Sequence, residues 1–197
     1  MHAERTSAVS AHRLGVFSDA VIAVIMTVMV LELKAPEHAD FSALWPLWHT
    51  VVSYAVSYLF IAIIWINHHY LMSLVGPPTL RLIWFNFAHL FLVSFLPFAT
   101  AWIARTQLAS APVVFYAALF VCVDIAFNVF EREVLRRADA SQVPARARRM
   151  ARRRSLAALA IFAVATVVAF VAPRLAFGLI CGALLLHLWP EFSNGRP

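Results

Sequence analysis

Six long apolar runs, separated by short polar or turn-forming stretches, dominate the chain: Leu14 to Leu33, Leu47 to Leu71, Leu82 to Ala104, Val113 to Val134, Leu156 to Ala172 and Leu175 to Trp189. About twenty consecutive apolar residues span a bilayer as helix, and none of these runs shows the strict alternation of a barrel strand. The pattern predicts an all-α polytopic membrane protein with six transmembrane helices in one domain, residues 1–197. Pro173-Arg174 interrupts the final apolar stretch, so a tight hairpin is predicted there rather than one overlong helix. Strong turn signals also stand in the first outer loop, Ala35 to Asp40, and in the loop Ser73 to Thr79 with its Gly76-Pro77-Pro78.

Composition agrees with the pattern: 62% of residues are hydrophobic, 13% are charged, and the mean hydropathy is +0.79, outside the range of soluble domains. Asp19 breaks the early turns of the first run, which continues to Leu33 without a small-residue cleavage site, so it reads as a retained helix and not as a signal peptide. Cys122 and Cys181 lie inside apolar runs and are expected to pack, with no spacing that suggests a metal clip or disulfide.

The net charge of +6 does not call for nucleic acid, because nine arginines fall in one segment, Arg132 to Arg154. Loops on the cytoplasmic side collect Lys and Arg. An N-in, C-in arrangement places thirteen basic residues inside, including Arg5, Arg13, Arg81 and Arg196, and leaves only Lys34, Arg105 and Arg174 outside. The arginine-rich loop 135–155 then faces the cytoplasm, with anionic lipid headgroups as its expected contacts. Glu131 to Arg137 can prolong the fourth helix, and Arg146 to Arg154 can lead into the fifth.

Charge inside a spanning helix is expensive and usually faces a bundle interior or a water-filled path. Arg13, Ser18 and Asp19 sit in the inner third of the first helix, at the depth of Asn67-His68-His69 on the second and of Asn86 and His89 on the third. Asp124 and Asn128, four residues apart on the fourth, share one face pointing toward the same side. One buried hydrogen-bonded network joining these helices is predicted, since carboxylate, imidazole, amide and guanidinium satisfy one another. A metal site at Asp19, His68, His69 and His89 is the weaker reading: adjacent histidines on a helix diverge by about 100°, and no histidine pair stands at i, i+4. No nucleophile with a plausible base is present, so no enzyme is expected.

Ala20, Val24, Thr27, Val28 and Leu31 form a narrow stripe on the first helix, with Asp19 on the far side. Periodicity alone favours simple helix packing for that stripe. Glu32 and Lys34, with opposite charges, stand at the outer end of this helix, the outer mouth if the helix lines a pore.

The run Arg13-x-x-x-Phe17-Ser18-Asp19, the following Ala20-Val21-Ile22-Ala23 and the ending Val30-Leu31-Glu32-Leu33-Lys34-Ala35-Pro36 resemble the first helix of the bacterial transmembrane protein 175 family, relatives of the lysosomal potassium channel. The likeness continues through Trp65-Ile66-Asn67-His68-His69, Leu82-Ile83-Trp84-Phe85-Asn86 and Ser94 to Thr100, covering the first three helices. It extends over the last three by length and hydropathy only. The resemblance implies a homotetramer in the bacterial inner membrane whose first helices surround a pore, with potassium as the permeant ion and no cofactor.

It further implies a constriction of apolar side chains at Val24, Val28 and Leu31, with the Thr27 hydroxyl beside it, in place of a Thr-Val-Gly-Tyr-Gly filter, which this chain lacks. Val24 is shorter than the isoleucine or leucine expected there, implying a wider ring. Under the same resemblance Arg13, Phe17, Ser18, Asp19, His68, His69 and Asn86 brace the pore helix, with His89 as an extension. Two rivals stand beside this leak-channel reading: a secondary transporter or proton pathway through Asp19, the histidines and Asp124, and a non-transporting scaffold whose arginine loop recruits an acidic partner.

Overall fold

The computed structural model describes residues 2–36, 39–138 and 145–193, with side chains described from Ala11 onward and, in the last two helices, for Arg149 and 152–185. Glu37, His38, the middle of the arginine-rich loop and Arg196 lie outside the described residues, as do the side chains of Arg5, Arg146 and Arg148. Among the described residues seven α-helices follow one another: α1 (His2–Val30), α2 (Trp48–Ser73), α3 (Leu80–Val93), α4 (Leu96–Arg105), α5 (Ser110–Arg137), α6 (Ala145–Val168) and α7 (Pro173–Ser193). No strand occurs among the described residues. This is the expected outcome where no water can hydrogen-bond the backbone.

Among the described residues four stretches are long and apolar enough to cross a membrane: Ala11–Val30, Phe41–Ser73, Leu80–Arg105 and Ser110–Arg137; Pro173–Leu185 is a shorter apolar helix. The third of these is not the single helix predicted. It breaks between Val93 and Leu96 because Pro97 sits in the first turn of α4, where it cannot donate to the turn before it. Ser94 covers the break by donating its hydroxyl to the Phe91 carbonyl at 2.6 Å. The first helix stops at Val30, three residues short of the predicted Leu33. The prolongation of α5 to Arg137, the arginine-led start of α6 and the hairpin before Pro173 all form as expected.

A 3-10 turn, Phe41–Leu47, precedes α2; it has no buried residue, and Phe41 and Trp45 are 91% and 81% exposed. Aromatic side chains with that exposure at the end of a span suit the headgroup level. Asp40 caps the turn, its carboxylate accepting from the Ser42 hydroxyl and the Ala43 amide. Those donors, the Ser42 hydroxyl first, hold its pKa below the usual carboxylate value.

Helix α5 is the centre of the bundle, packing against α3, α4, α6 and α7, while α1 lies on α2, α3 and α4. The main core stacks Phe60 of α2 on Phe120 of α5 at 3.7 Å, with Phe162 of α6 edge-on to both. Helix α1 contributes Ile22, Ile25 and Met29 to it. A smaller cluster of Leu71, Leu82, Phe130 and Val134 closes the end that carries Arg81 and Arg137. Within the main core Tyr116 Oη, Ser57 Oγ and Thr100 Oγ1 form a buried chain with successive distances of 2.7 Å, joining α5, α2 and α4. Cys181 is partly buried against the core, but Cys122 is exposed, contrary to its expected packing role. Its position on α5 turns it away from the four neighbouring helices.

Candidate functional site

The early part of α1 is bound to α2 and α3 by side chains the sequence placed at one depth. Ser18, fully buried, donates to the Leu14 carbonyl at 2.9 Å and accepts from Asn86 Nδ2 at 2.8 Å. Asn86 Oδ1 lies 2.7 Å from His68 Nε2. Because the Asn86 amide nitrogen is committed to Ser18, its oxygen accepts, and His68 carries its proton on Nε2. Three helices are thus joined through one buried amide. The His68 ring then stacks nearly parallel on Phe130 of α5 at 5.3 Å.

Asp19 turns to α2 instead. It accepts from Trp65 Nε1 at 3.0 Å and has His69 Nδ1 at 3.9 Å, an ion pair when that imidazole is protonated. Trp65 is the member that sequence reasoning missed, although it stands four residues before His69 and therefore on the same face. Phe17 is 47% exposed and meets Phe87 of α3 edge-on at 5.6 Å; Arg13 is exposed. Phe17, Val21, Trp84, Phe87 and Phe91 line an open apolar groove of about 540 Å³ between α1 and α3.

The single network predicted across four helices does not form among the described residues: the Ser18–Asn86–His68 chain and the Asp19 contacts share no hydrogen bond, and the α5 residues make a second group apart from those on α1, α2 and α3. Asn128 pairs with Ser155 of α6, Nδ2 to Oγ at 2.7 Å and Oγ to Oδ1 at 2.9 Å, and also donates to the Asp124 carbonyl. Asp124 itself, with Asn67, Glu131, Arg154 and Ser155, lines a separate cavity of about 110 Å³ among α2, α5, α6 and α7. The bulk of Phe127 and Phe130 on α5 stands between the two groups, which depth alone could not reveal. His89 joins neither. It is fully buried, 6.2 Å from the His68 ring and near Phe127, and among the described residues its ring nitrogens have no hydrogen-bond partner. No group of three or more metal-ligating side chains occurs among the described residues.

The opposite face of α1 carries the stripe. Val24, Val28 and Leu31 are 59%, 41% and 77% exposed, whereas Ile22, Ile25 and Met29 on the reverse face are almost inaccessible. Thr27, also exposed, donates its hydroxyl to the Val24 carbonyl at 2.9 Å. With its proton committed to the backbone, the oxygen presents lone pairs outward, which is the orientation a cation requires. Glu32, just past the end of α1, is not a free charge. Arg105 at the end of α4 binds it at 2.6 Å, a partner too distant in sequence to anticipate.

A polytopic helical membrane protein, with its first helix fastened at Ser18 and Asp19 and again just past its end at Glu32, and an apolar, hydroxyl-bearing face left bare between them, is the class this architecture defines. Residues 13–97 match the family model of the endosomal/lysosomal potassium channel TMEM175, so the resemblance seen in the sequence is borne out. The chain is 37% identical over 124 residues to a protein named potassium channel from a Chryseobacterium species, covering 63% of this chain and 65% of that one. A second potassium channel by name, from Chamaesiphon minutus, is 34% identical over 125 residues, 59% of this chain and 62% of that protein. These matches take in slightly under two thirds of each relative's length. The fold superposes on the crystal structure of a lysosomal potassium-selective channel TMEM175 homolog from Chamaesiphon minutus with a TM-score of 0.78 at 26% identity, covering 95% of this chain and 99% of that one.

Proposed function

We propose that the chain is one subunit of a homotetrameric, potassium-permeable leak channel of the bacterial inner membrane, with six crossings per subunit, both termini inside and α1 lining the central pore. One observation carries this reading: Asp19 of α1 and Glu32 just past its end are bound to neighbouring helices, while the face they leave bare holds Val24, Thr27, Val28 and Leu31. A polar pathway through Asp19 would require the reverse. Four such faces around an axis give apolar rings that close a pore by dewetting, and a ring of Thr27 oxygens that replaces part of an ion's hydration shell. The short Val24 makes the ring wider and the discrimination between potassium and sodium weaker than a longer side chain gives.

The names of the relatives and the family match support potassium as the permeant ion. Anionic headgroups meet the arginine-rich loop, and Ser18, Asn86, His68 and Asp19 act as bracing and not as ion ligands. The test is potassium, sodium and rubidium flux from proteoliposomes for wild type, Val24→Ala and Leu31→Ala. The expected result is potassium flux above empty vesicles, with rate or selectivity altered in both variants. Absence of flux in wild type overturns the channel, and unchanged rate and selectivity in both variants removes the constriction from α1.

A further inference from the structure

Glu133, near the end of α5, is only 3% exposed, yet it is surrounded by cations. Arg136 Nη2 lies 3.0 and 3.1 Å from its two oxygens, Arg137 Nε lies 2.8 Å from Oε1, and Arg81 Nε, from the start of α3, lies 3.6 Å from Oε2. One carboxylate against three guanidiniums leaves a local charge of about +2. The three arginine side chains remain 62%, 61% and 38% exposed for Arg81, Arg136 and Arg137. Each guanidinium has five N–H donors, and Glu133 takes a small share of them.

Glu133 therefore acts as a buried peg that fixes the three forks, with their unused donors facing outward. Arg81 is held a second time, its guanidinium standing 5.3 Å over the Phe85 ring. The first turn of α3 adds backbone N–H groups beside it, a favourable end for negative charge. Leu80 and Trp84, 70% and 64% exposed, flank Arg81 with apolar surface, and an exposed tryptophan at the end of a span marks the headgroup level.

We propose that Arg81, Arg136 and Arg137, pegged by Glu133, form a binding site for the phosphate of an anionic membrane lipid, its acyl chains lying along Leu80 and Trp84. A free phosphate would gain the charge but leave the flanking apolar surface unused. The site rests on the reading that this end of the bundle meets the bilayer surface, and it does not depend on ion conduction. It is distinct from the diffuse attraction of the arginine-rich loop, because Arg81 lies outside that loop and all three forks are anchored.

Native mass spectrometry of the full-length protein, offered phosphatidylglycerol against phosphatidylcholine, tests it, with potassium flux measured on the same preparations. Wild type is expected to retain phosphatidylglycerol selectively, and millimolar inorganic phosphate is expected not to displace it. The triple change Arg81→Lys, Arg136→Lys, Arg137→Lys keeps the charge but loses the forks, and should lower retention at least about fivefold. Glu133→Gln should also lower retention although it raises the net charge. Equal retention in the triple lysine variant, or higher retention in Glu133→Gln, reduces the effect to bulk charge and overturns the site. Displacement by phosphate overturns the lipid as occupant. Intact flux without lipid selectivity sinks this inference alone, whereas lipid selectivity without flux sinks the channel alone.

Discussion

Replacing Asn86 by leucine removes the amide that joins α1, α2 and α3 while keeping side-chain volume close to constant, so the cost is polar and not a cavity. Ser18 keeps its bond to the Leu14 carbonyl at 2.9 Å and loses only a donor. His68 loses its one bond, the 2.7 Å contact at Nε2, and its Nδ1 has no hydrogen-bond partner among the described residues. A buried donor left without an acceptor costs roughly 1–3 kcal/mol, while side-chain hydrogen bonds measured in membrane bundles reach about 1.7 kcal/mol at most. The expected destabilisation of Asn86→Leu is therefore about 1–2 kcal/mol. His68→Phe preserves the parallel stack on Phe130 and removes the group that is stranded. The double variant should accordingly be more stable than the sum of the two losses predicts, by about 1 kcal/mol. Reversible unfolding in bicelles or mixed micelles, followed by tryptophan fluorescence on all four proteins, measures the cycle. An Asn86→Leu protein as stable as wild type, or strict additivity in the cycle, refutes the view that this amide binds the three helices together.

Asp19→Asn keeps an acceptor for Trp65 Nε1 but loses the charge facing His69; a lower assembled fraction is expected on size-exclusion chromatography, with flux per assembled channel maintained. Loss of flux with intact assembly favours a proton or transport pathway through Asp19. Glu32→Gln breaks the 2.6 Å pair with Arg105, whose partners are 38% and 65% exposed, so stability should fall by less than about 1 kcal/mol. Single-channel recording should show less than about a twofold change in conductance, since the carboxylate is already neutralised; a larger drop makes Glu32 a free acidic ring. Gln107 and Leu108 end α4 with φ of 50° and 63°, and Leu108 N closes the turn on the Ile103 carbonyl at 3.0 Å. Gln107→Gly should raise stability by about 1 kcal/mol in thermal unfolding by relieving the Cβ contact of a left-handed residue; destabilisation argues against strain there.

The spans and their depth were legible because hydropathy and helical rise act locally, and depth alone was enough to gather Ser18, Asp19, His68, His69 and Asn86. Direction was harder to read. Asp124 and Asn128 share that depth but face α6, and only the packing of Phe130 against His68 shows that the two groups are separate. His89 had the right depth and the wrong azimuth, and lies among rings. Pro97 stood in plain view within the apolar run, yet composition weighed more than its missing N–H, and the break between α3 and α4 was not predicted. Arg105 against Glu32 and Arg81 against Glu133 are separated by 73 and 52 positions; pairs of that kind follow from how helices pack, which no periodicity encodes.

Between its two polar attachments α1 behaves as a beam clamped at both ends. Asp19 and Ser18 fix one end through α2 and α3, and Glu32 fixes the other through α4, about 20 Å further along the axis. The stretch between is held by apolar contacts of Val21, Ile22, Ile25, Met26 and Met29, which have no preferred direction and tolerate a small roll or bow. A beam held in this way resists tilting as a rigid rod and deflects most at midspan. Midspan is Val24 to Thr27, where the Thr27 hydroxyl already draws on the Val24 carbonyl. In the proposed tetramer, bending at that point would set the width of the opening that four such helices enclose, at a cost in dispersion contacts, while the charged fastenings stay closed.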